Sequence, residues 1–158
     1  MSAEDGCGEM TIRLATQDDG TQIVRLVNAA YVKYLDRMEK PPAPLFADYT
    51  ALVAAGGVYV LESGAEIAGL LVIETRDQTM LIENVAVDPA FQGQGLGRRL
   101  MAFAEQLARE RGLRELRLYT NEVMVESLAF YQRLGLTEIE RRLDNGYRRV
   151  FLRKSLAR

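Results

Sequence analysis

"ENVAVDPAFQGQGLGRRLM", residues 83–101, decides the fold. An apolar, alternating run ends at Asp88-Pro89. Glycines follow at 93, 95 and 97, and then Leu96, Leu100, Phe103 and Leu107 recur at spacings of 4, 3 and 4. The first part reads as a strand and the last as the apolar face of a helix. A strand that passes through a glycine turn into a helix leaves the N–H groups of the first helical turn without partners. Those donors and the helix dipole together favour an anion, phosphate above all. Glycine at such positions permits positive φ and close approach of backbone to ligand. The segment predicts an anion site over residues 92–98, with a ligand-free strand–helix turn as the alternative.

The two common nucleotide loops do not fit. A phosphate loop of the G-x-x-x-x-G-K-[ST] type needs a lysine and a hydroxyl, but Arg98-Arg99 follows Gly97. The G-x-G-x-x-G fingerprint needs a last glycine at 98 or 100, where arginine and leucine stand.

Composition narrows the chemistry further. The 158 residues suit one domain, read as 11–158 behind an acidic, disordered tail at 1–10. With 20 basic and 22 acidic residues the net charge is −2, which offers no whole-domain attraction to nucleic acid or an anionic membrane. No stretch reaches the roughly 18 apolar residues of a membrane span, and the start lacks a secretory pattern. The reading is a cytoplasmic protein. There is no histidine, and the one cysteine, Cys7, lies in the tail. Ser-His-Asp and Cys-His catalysis, His-ligated metals and an internal disulfide are all excluded. Any general base must be Asp, Glu, Tyr, Lys or water, and no metal is expected.

Outward from the glycine loop, "TIRLAT" (11–16) alternates like a strand. Thr16 and Asp19 then mark a helix start with Ile23, Leu26, Val27 and Ala30 on its apolar face. Pro41, Pro42 and Pro44 interrupt it, in a stretch suited to a lid or rim, before a short helix at 46–55. Strands follow at 58–63, 66–75 and 80–87, the helix at 95–111, a strand at 113–121 and a helix at 123–135. A closing hairpin turns at Asn145-Gly146. The order β-α-α-β-β-β-α-β-α-β-β predicts an α/β (α+β) fold: one mixed sheet with helices on both faces. The 95–111 crossover makes its flanking strands parallel neighbours or near-neighbours.

"VAVDPAFQGQGLGRRLM" resembles the coenzyme A signature of the GNAT superfamily of N-acetyltransferases, Q/R-x-x-G-x-G/A, with Gln92, Gly95 and Gly97 at its three positions. "LAFYQRLGL" (128–136) is similar to the second signature, F-Y-x-x-L-G-F, with Leu136 in place of the final Phe. The resemblance covers roughly 11–154. It implies a mostly antiparallel central sheet of about six to seven strands and acetyl-CoA as co-substrate. The pantetheine arm would lie along Val85, Ala86 and Val87 where the 80–88 and 113–121 strands part near Val87. The diphosphate would rest on the amides of Gln92, Gly93, Gln94, Gly95, Leu96, Gly97 and Arg98. Val85 is the candidate amide that polarises the thioester carbonyl, Tyr131 the candidate acid for the departing thiolate and Glu83 the candidate base. Enclosure in an apolar strand would raise Glu83's carboxyl toward a working pKa. Water remains open as the base. Many members carry an Asn where Met124 stands, so Asn121 or Ser127 is held as a replacement pantetheine contact, with a helix cap as the other reading of Asn121. Arg99 reads as plain surface.

The resemblance implies an acceptor side on Tyr31, Tyr34 and Tyr147, with Asp36, Arg37, Glu39, Asp48, Tyr49 and Arg149 around them, half-buried packing being the other reading of the tyrosines. Aromatic walls with acidic residues would suit a cationic amine. The expected reaction is direct attack of a primary amine, on a small molecule or a peptide, within a ternary complex. A homodimer is possible. A non-catalytic acyl-CoA-binding module on the same fold is the alternative, and a nucleotide-binding protein a second.

Overall fold

The computed structural model describes residues 10–156; Cys7 and most of the expected tail lie outside them. Seven strands form one sheet: β1 Met10–Leu14, β2 Val58–Ser63, β3 Glu66–Arg76, β4 Thr79–Val87, β5 Glu115–Asn121, β6 Thr137–Asp144 and β7 Tyr147–Ser155. The helices are α1 Gly20–Tyr31, α2 Tyr49–Ala54, α3 Leu96–Glu110 and α4 Val125–Arg133. Met10 already belongs to β1, so the first strand starts one residue before the expected boundary. Sheet order is β1-β2-β3-β4-β5-β7-β6, with β4 and β5 the one parallel pair. The expected fold class is the one observed.

Each face of the sheet buries an amphipathic layer. On one, Leu96, Leu100 and Ala104 of α3 and Tyr131 of α4 pack on Leu71, Ile73, Met80, Ile82, Leu116, Leu118 and Val150. On the other, Ile23, Leu26 and Val27 of α1 and Tyr49 of α2 pack on Val58, Val60, Leu70, Val72 and Ala86. Full burial of a residue such as Leu100 contributes about 1.5–3 kcal/mol. The two-residue turn at Asn145-Gly146 has φ of 53° and 82°, the left-handed pair a tight hairpin needs.

The position of the site follows from β4. Its ladder with β3 pairs Ile73 with Ile82 and Val72 with Asn84, which leaves Glu83 as the extra residue of a β-bulge. The bulge reverses the alternation. Met80 and Ile82 face α3, whereas Ala86 faces α1. The simple two-face reading of 81–87 is thereby corrected. Pairing with β5 runs from Thr79–Glu115 to Ile82–Leu118 and stops there. The strands part immediately before the bulge, five residues earlier than Val87, because the extra residue bends β4 away from its neighbour.

The entry to α1 is held electrostatically. The Thr16 N–H donates to the Asp19 carboxylate at 2.8 Å, and Arg13 bridges Asp19 (2.9 Å) and Glu62 (3.2 Å). Arg13 and the Thr16 amide hold the buried Asp19 carboxyl below its usual value, against the opposing effect of burial. Replacing Asp19 by alanine should cost about 2 kcal/mol, the scale of a hydrogen bond to a charged group, measured by urea unfolding. The depressed folded pKa means this contribution is complete above the ordinary carboxylate value near 4 and is lost as pH falls through the folded value. The Asp19→Asn variant should lack that acid limb.

Candidate active site

The parting of β4 and β5 opens a cleft of about 360 Å³. Glu83–Val87 of β4 form one wall and Leu118–Asn121 of β5 the other. Tyr31, Tyr34 and the 42–47 stretch cover it, Ser127 and Tyr131 of α4 line it, Tyr147 and Arg149 of β7 close one side, and Gln92 marks one end.

At that end the chain turns into α3. Gly93 and Gly95 have φ of 86° and 76°, and a Cβ on either would meet no other atom within 4 Å. Among the hydrogen bonds of the described turns and caps, none has an amide of residues 93–98 as donor, whereas the Gln92 N–H is committed to the Pro89 carbonyl at 3.3 Å. Six successive donors therefore have no partner among the described residues, at the positive end of a fifteen-residue helix. This fits a diphosphate. Two residues serve packing instead. Leu96 is buried in the core, so it offers only its backbone. Gly97 lies inside α3, where a Cβ would come within 3.3 Å of the Phe130 ring, so a side chain there would press on α4. Gln94 and Arg98 are exposed, and Arg98 has no ion-pair partner among the described residues, while Arg99 donates to the Met10 carbonyl at 3.3 Å.

The backbone of β4 supplies an open edge. The Asp88 N–H donates to Ala68 of β3 at 2.9 Å, so strand alternation turns Ala86 toward β3 as well and leaves Val85 and Val87 facing the gap. Val85 and Val87 thus occupy the positions an added strand would pair with. Ala86 does not: its side chain is core and its amide faces β3.

Glu83 lines the cleft, but the residue is exposed, contrary to the enclosure expected of it. The bulge turns it out of the strand's regular face. Its carboxyl is still raised, first by partial desolvation and then by the Glu74 carboxylate, with Arg76 acting in the opposite sense. Glu74 is itself held low by Arg76 at 2.9 Å.

Tyr131 is 9% exposed, and its hydroxyl has no hydrogen-bond partner among the described residues. Burial first, and Tyr34 second, push its phenol well above the ordinary value. Ser127, one turn earlier, presents to the same cleft and lies 3.4 Å from the Tyr34 hydroxyl. Met124 is buried and accepts from the Thr120 hydroxyl at 3.6 Å. Asn121 lines the cleft, with its side-chain oxygen accepting from the Val123 N–H at 3.1 Å. It closes the turn before α4, whose N-cap is Met124.

Tyr31, Tyr34 and Tyr147 all reach the cleft. The hydroxyls of two are spent elsewhere: Tyr31 donates to Asn84 at 2.6 Å and Tyr147 to the Pro41 carbonyl at 2.7 Å. They present ring faces, not free hydroxyls. Asn84 was missed in the sequence, although a lone amide in an apolar strand is a signal, because a buried amide needs partners. It accepts from Tyr31 and donates to Tyr49 at 3.2 Å, and Tyr49 donates to the Pro44 carbonyl at 2.7 Å. Burial pushes the Tyr49 phenol up to about 12. This chain, with Tyr147–Pro41 and a 2.7 Å bond from Lys40 to the Asn145 carbonyl, fastens the proline stretch over the cleft as a fixed cover.

The expected acidic surround is absent from the lining. Asp48 caps α2 through the Ala51 N–H at 3.1 Å. Asp36 and Glu39 are exposed away from the cleft, and Arg37 pairs with Glu126 outside it. The cations Lys33 and Arg149 line it instead. Among the described residues no group of three or more His, Cys, Asp or Glu side chains could hold a metal, and no helix is long and apolar enough to cross a membrane.

Known proteins bear on this geometry. An uncharacterized N-acetyltransferase of Bacillus subtilis (strain 168) is 33% identical over 81 residues, 51% of this chain and 52% of its own length. One from Methanocaldococcus jannaschii is 30% identical over 141 residues, 82% of this chain and 62% of its own. The chain thus spans little more than half the length of these curated relatives. The crystal structure of the PaiA N-acetyltransferase of Thermoplasma acidophilum, in complex with coenzyme A, superposes with a TM-score of 0.78 at 12% identity, covering 93% of this chain and 99% of that one. The profile of the "Acetyltransferase (GNAT) family" matches residues 21–136, well over half the chain and the whole of the glycine loop, the strand gap and α4. The chain belongs to the GNAT family of acetyltransferases.

Proposed function

We propose that this protein transfers the acetyl group of acetyl-CoA to a primary amine, on a small molecule or a peptide, by direct attack within a ternary complex. The observation that carries this reading is the run of unpaired amides at 93–98 beside a parallel strand pair that stops at Ile82. Amides 93–98 would hold the diphosphate, with Arg98 near it, and Val85 and Val87 would pair with the pantetheine arm as a further strand does. The Val85 amide, facing the gap, is the donor we assign to the thioester carbonyl.

The chemistry balances over two side chains. The ammonium of the acceptor gives a proton to Glu83, directly or through water. The freed amine forms the N–C bond as the C–S bond breaks, and the departing thiolate takes the Tyr131 proton. The amide nitrogen sheds its second proton through water to restore the Tyr131 phenol, and Glu83 releases the first proton to solvent. Tyr131 carries its proton at neutral pH as any phenol does, and burial, by raising it, leaves that proton to be given up only to the strongly basic thiolate forming in the same enclosed surroundings. The lack of histidine in the chain, and of an activated thiol or hydroxyl among the described residues of the cleft, argues against an acyl-enzyme and for direct attack.

Thiol release from acetyl-CoA across a panel of amines tests the transfer. A thermal-shift comparison tests the co-substrate: coenzyme A at about 100 times its Kd should stabilise the fold by about 2.7 kcal/mol, and ATP or NAD should not. Stabilisation by coenzyme A without turnover on any amine would point to a binding module. Replacing Glu83 by glutamine should lower kcat/KM by about 10²-fold. In the native enzyme the rate should rise with pH through the raised Glu83 carboxyl, since only the carboxylate accepts a proton, and the variant's profile should lose that limb.

A further inference from the structure

We infer that the acceptor carries an anionic group, a carboxylate or a phosphate, besides its amine, and that Arg149 binds it. This deepens the acetyl-transfer reading and rests on it. Arg149 is 7% exposed and lines the cleft. A buried guanidinium is costly unless its donors are met. Asp144, across the closing hairpin, takes one of them: Nη1 donates to its carboxylate at 2.6 Å. No described atom accepts from Nη2 or Nε. The guanidinium carbon lies 4.0 Å from the Tyr119 ring centroid and 5.2 Å from that of Tyr147, so two aromatic faces hold the group while Asp144 orients it. A planar fork with free N–H groups at the edge of a cleft matches the two oxygens of a carboxylate or phosphate.

Asp144 neutralises Arg149 itself, but the surroundings remain cationic. Lys33 lines the same cleft, and Lys40 lies 4.4 Å over the Tyr147 ring; neither has an ion-pair partner among the described residues. Among the described residues Glu83 is the one acid in the lining. A cleft with cations near β7 and a carboxylate on β4 complements a molecule with an anion and an ammonium, and opposes a polycationic amine. The sequence had suggested the reverse polarity, from acids that the fold directs elsewhere.

Matched pairs of amines test the inference at saturating acetyl-CoA: each of the common amino acids against its carboxamide, and glucosamine 6-phosphate against glucosamine. We expect kcat/KM for the favoured anionic member to exceed that of its neutral partner at least tenfold. The carboxamide and sugar arms separate carboxylate from phosphate. The preference should vanish in Arg149→Gln and in Arg149→Gln/Asp144→Asn, the double variant sparing Asp144 an unpaired charge. Neutral members acetylated as well as anionic ones, or a preference indifferent to Arg149, would overturn the inference and leave acetyl transfer intact. NMR titration of the coenzyme A complex with N-acetylglycine and with inorganic phosphate reads the site without turnover. Binding by either that weakens at least tenfold in Arg149→Gln supports it, and binding by neither overturns it, whatever the rate assay gives.

Discussion

Replacing Tyr131 by phenylalanine should lower kcat by about 10²–10⁴-fold, the usual contribution of a positioned general acid, with little change in KM for acetyl-CoA. The variant keeps the ring, and with it the contacts of Tyr131 to the α3 layer and to Phe130, 5.3 Å away between centroids. The hydroxyl it removes is enclosed and makes no hydrogen bond with a described residue, so folding loses nothing when it goes. Its cost should fall wholly on the chemical step, where the thiolate would leave unprotonated. Steady-state kinetics beside a thermal melt separates the two. A normal kcat in Tyr131→Phe would mean that water protonates the thiolate and that Tyr131 is a packing residue.

The second large effect belongs to the loop. Valine at Gly95 should weaken coenzyme A binding by tenfold or more, because a β-branched residue at φ 76° costs roughly 1–3 kcal/mol and relieves that strain by turning the amides away. About 1.4 kcal/mol corresponds to tenfold in affinity. Strain alone is controlled at the other end of α3, where Gly112 has φ 72° and open space around it. Gly112→Val should lose similar stability and keep its affinity for coenzyme A. Calorimetric titration of both variants gives the comparison, and equal affinities would sever the loop from the ligand.

What the sequence could convey was local. Glycine phasing, helical spacing around Leu100 and the Asn145-Gly146 turn are each written within a few residues, and each element formed where its own side chains direct. The position of β7 between β5 and β6 is not local, since it depends on which edge a hairpin docks against. Nor is the bulge at Glu83, which arises from the register of β3 against β4. One extra residue there moved Glu83 out of the enclosed face, turned Asn84 toward Tyr31 and Tyr49, and opened the gap earlier than expected. The acceptor side suffered most. Asp36, Glu39 and Asp48 sit beside the relevant tyrosines in sequence, yet helix geometry and capping carry them away from the cleft, while Lys33 and Arg149 enter it. Gly97 shows the same limit on a small scale: its place in a glycine run suggested a ligand, and its neighbour across space is Phe130.

In the proposed complex the main-chain N–H groups of residues 93–98 hold the diphosphate of coenzyme A beside the open edge of β4. A crystal structure of the complex with coenzyme A tests it most directly. The predicted result is diphosphate oxygens at about 2.7–3.2 Å from several of those amides, with the pantetheine arm between β4 and β5 and the sulfur near the Tyr131 hydroxyl. Coenzyme A bound elsewhere, with the 93–98 turn bare and the strand gap closed, would contradict it.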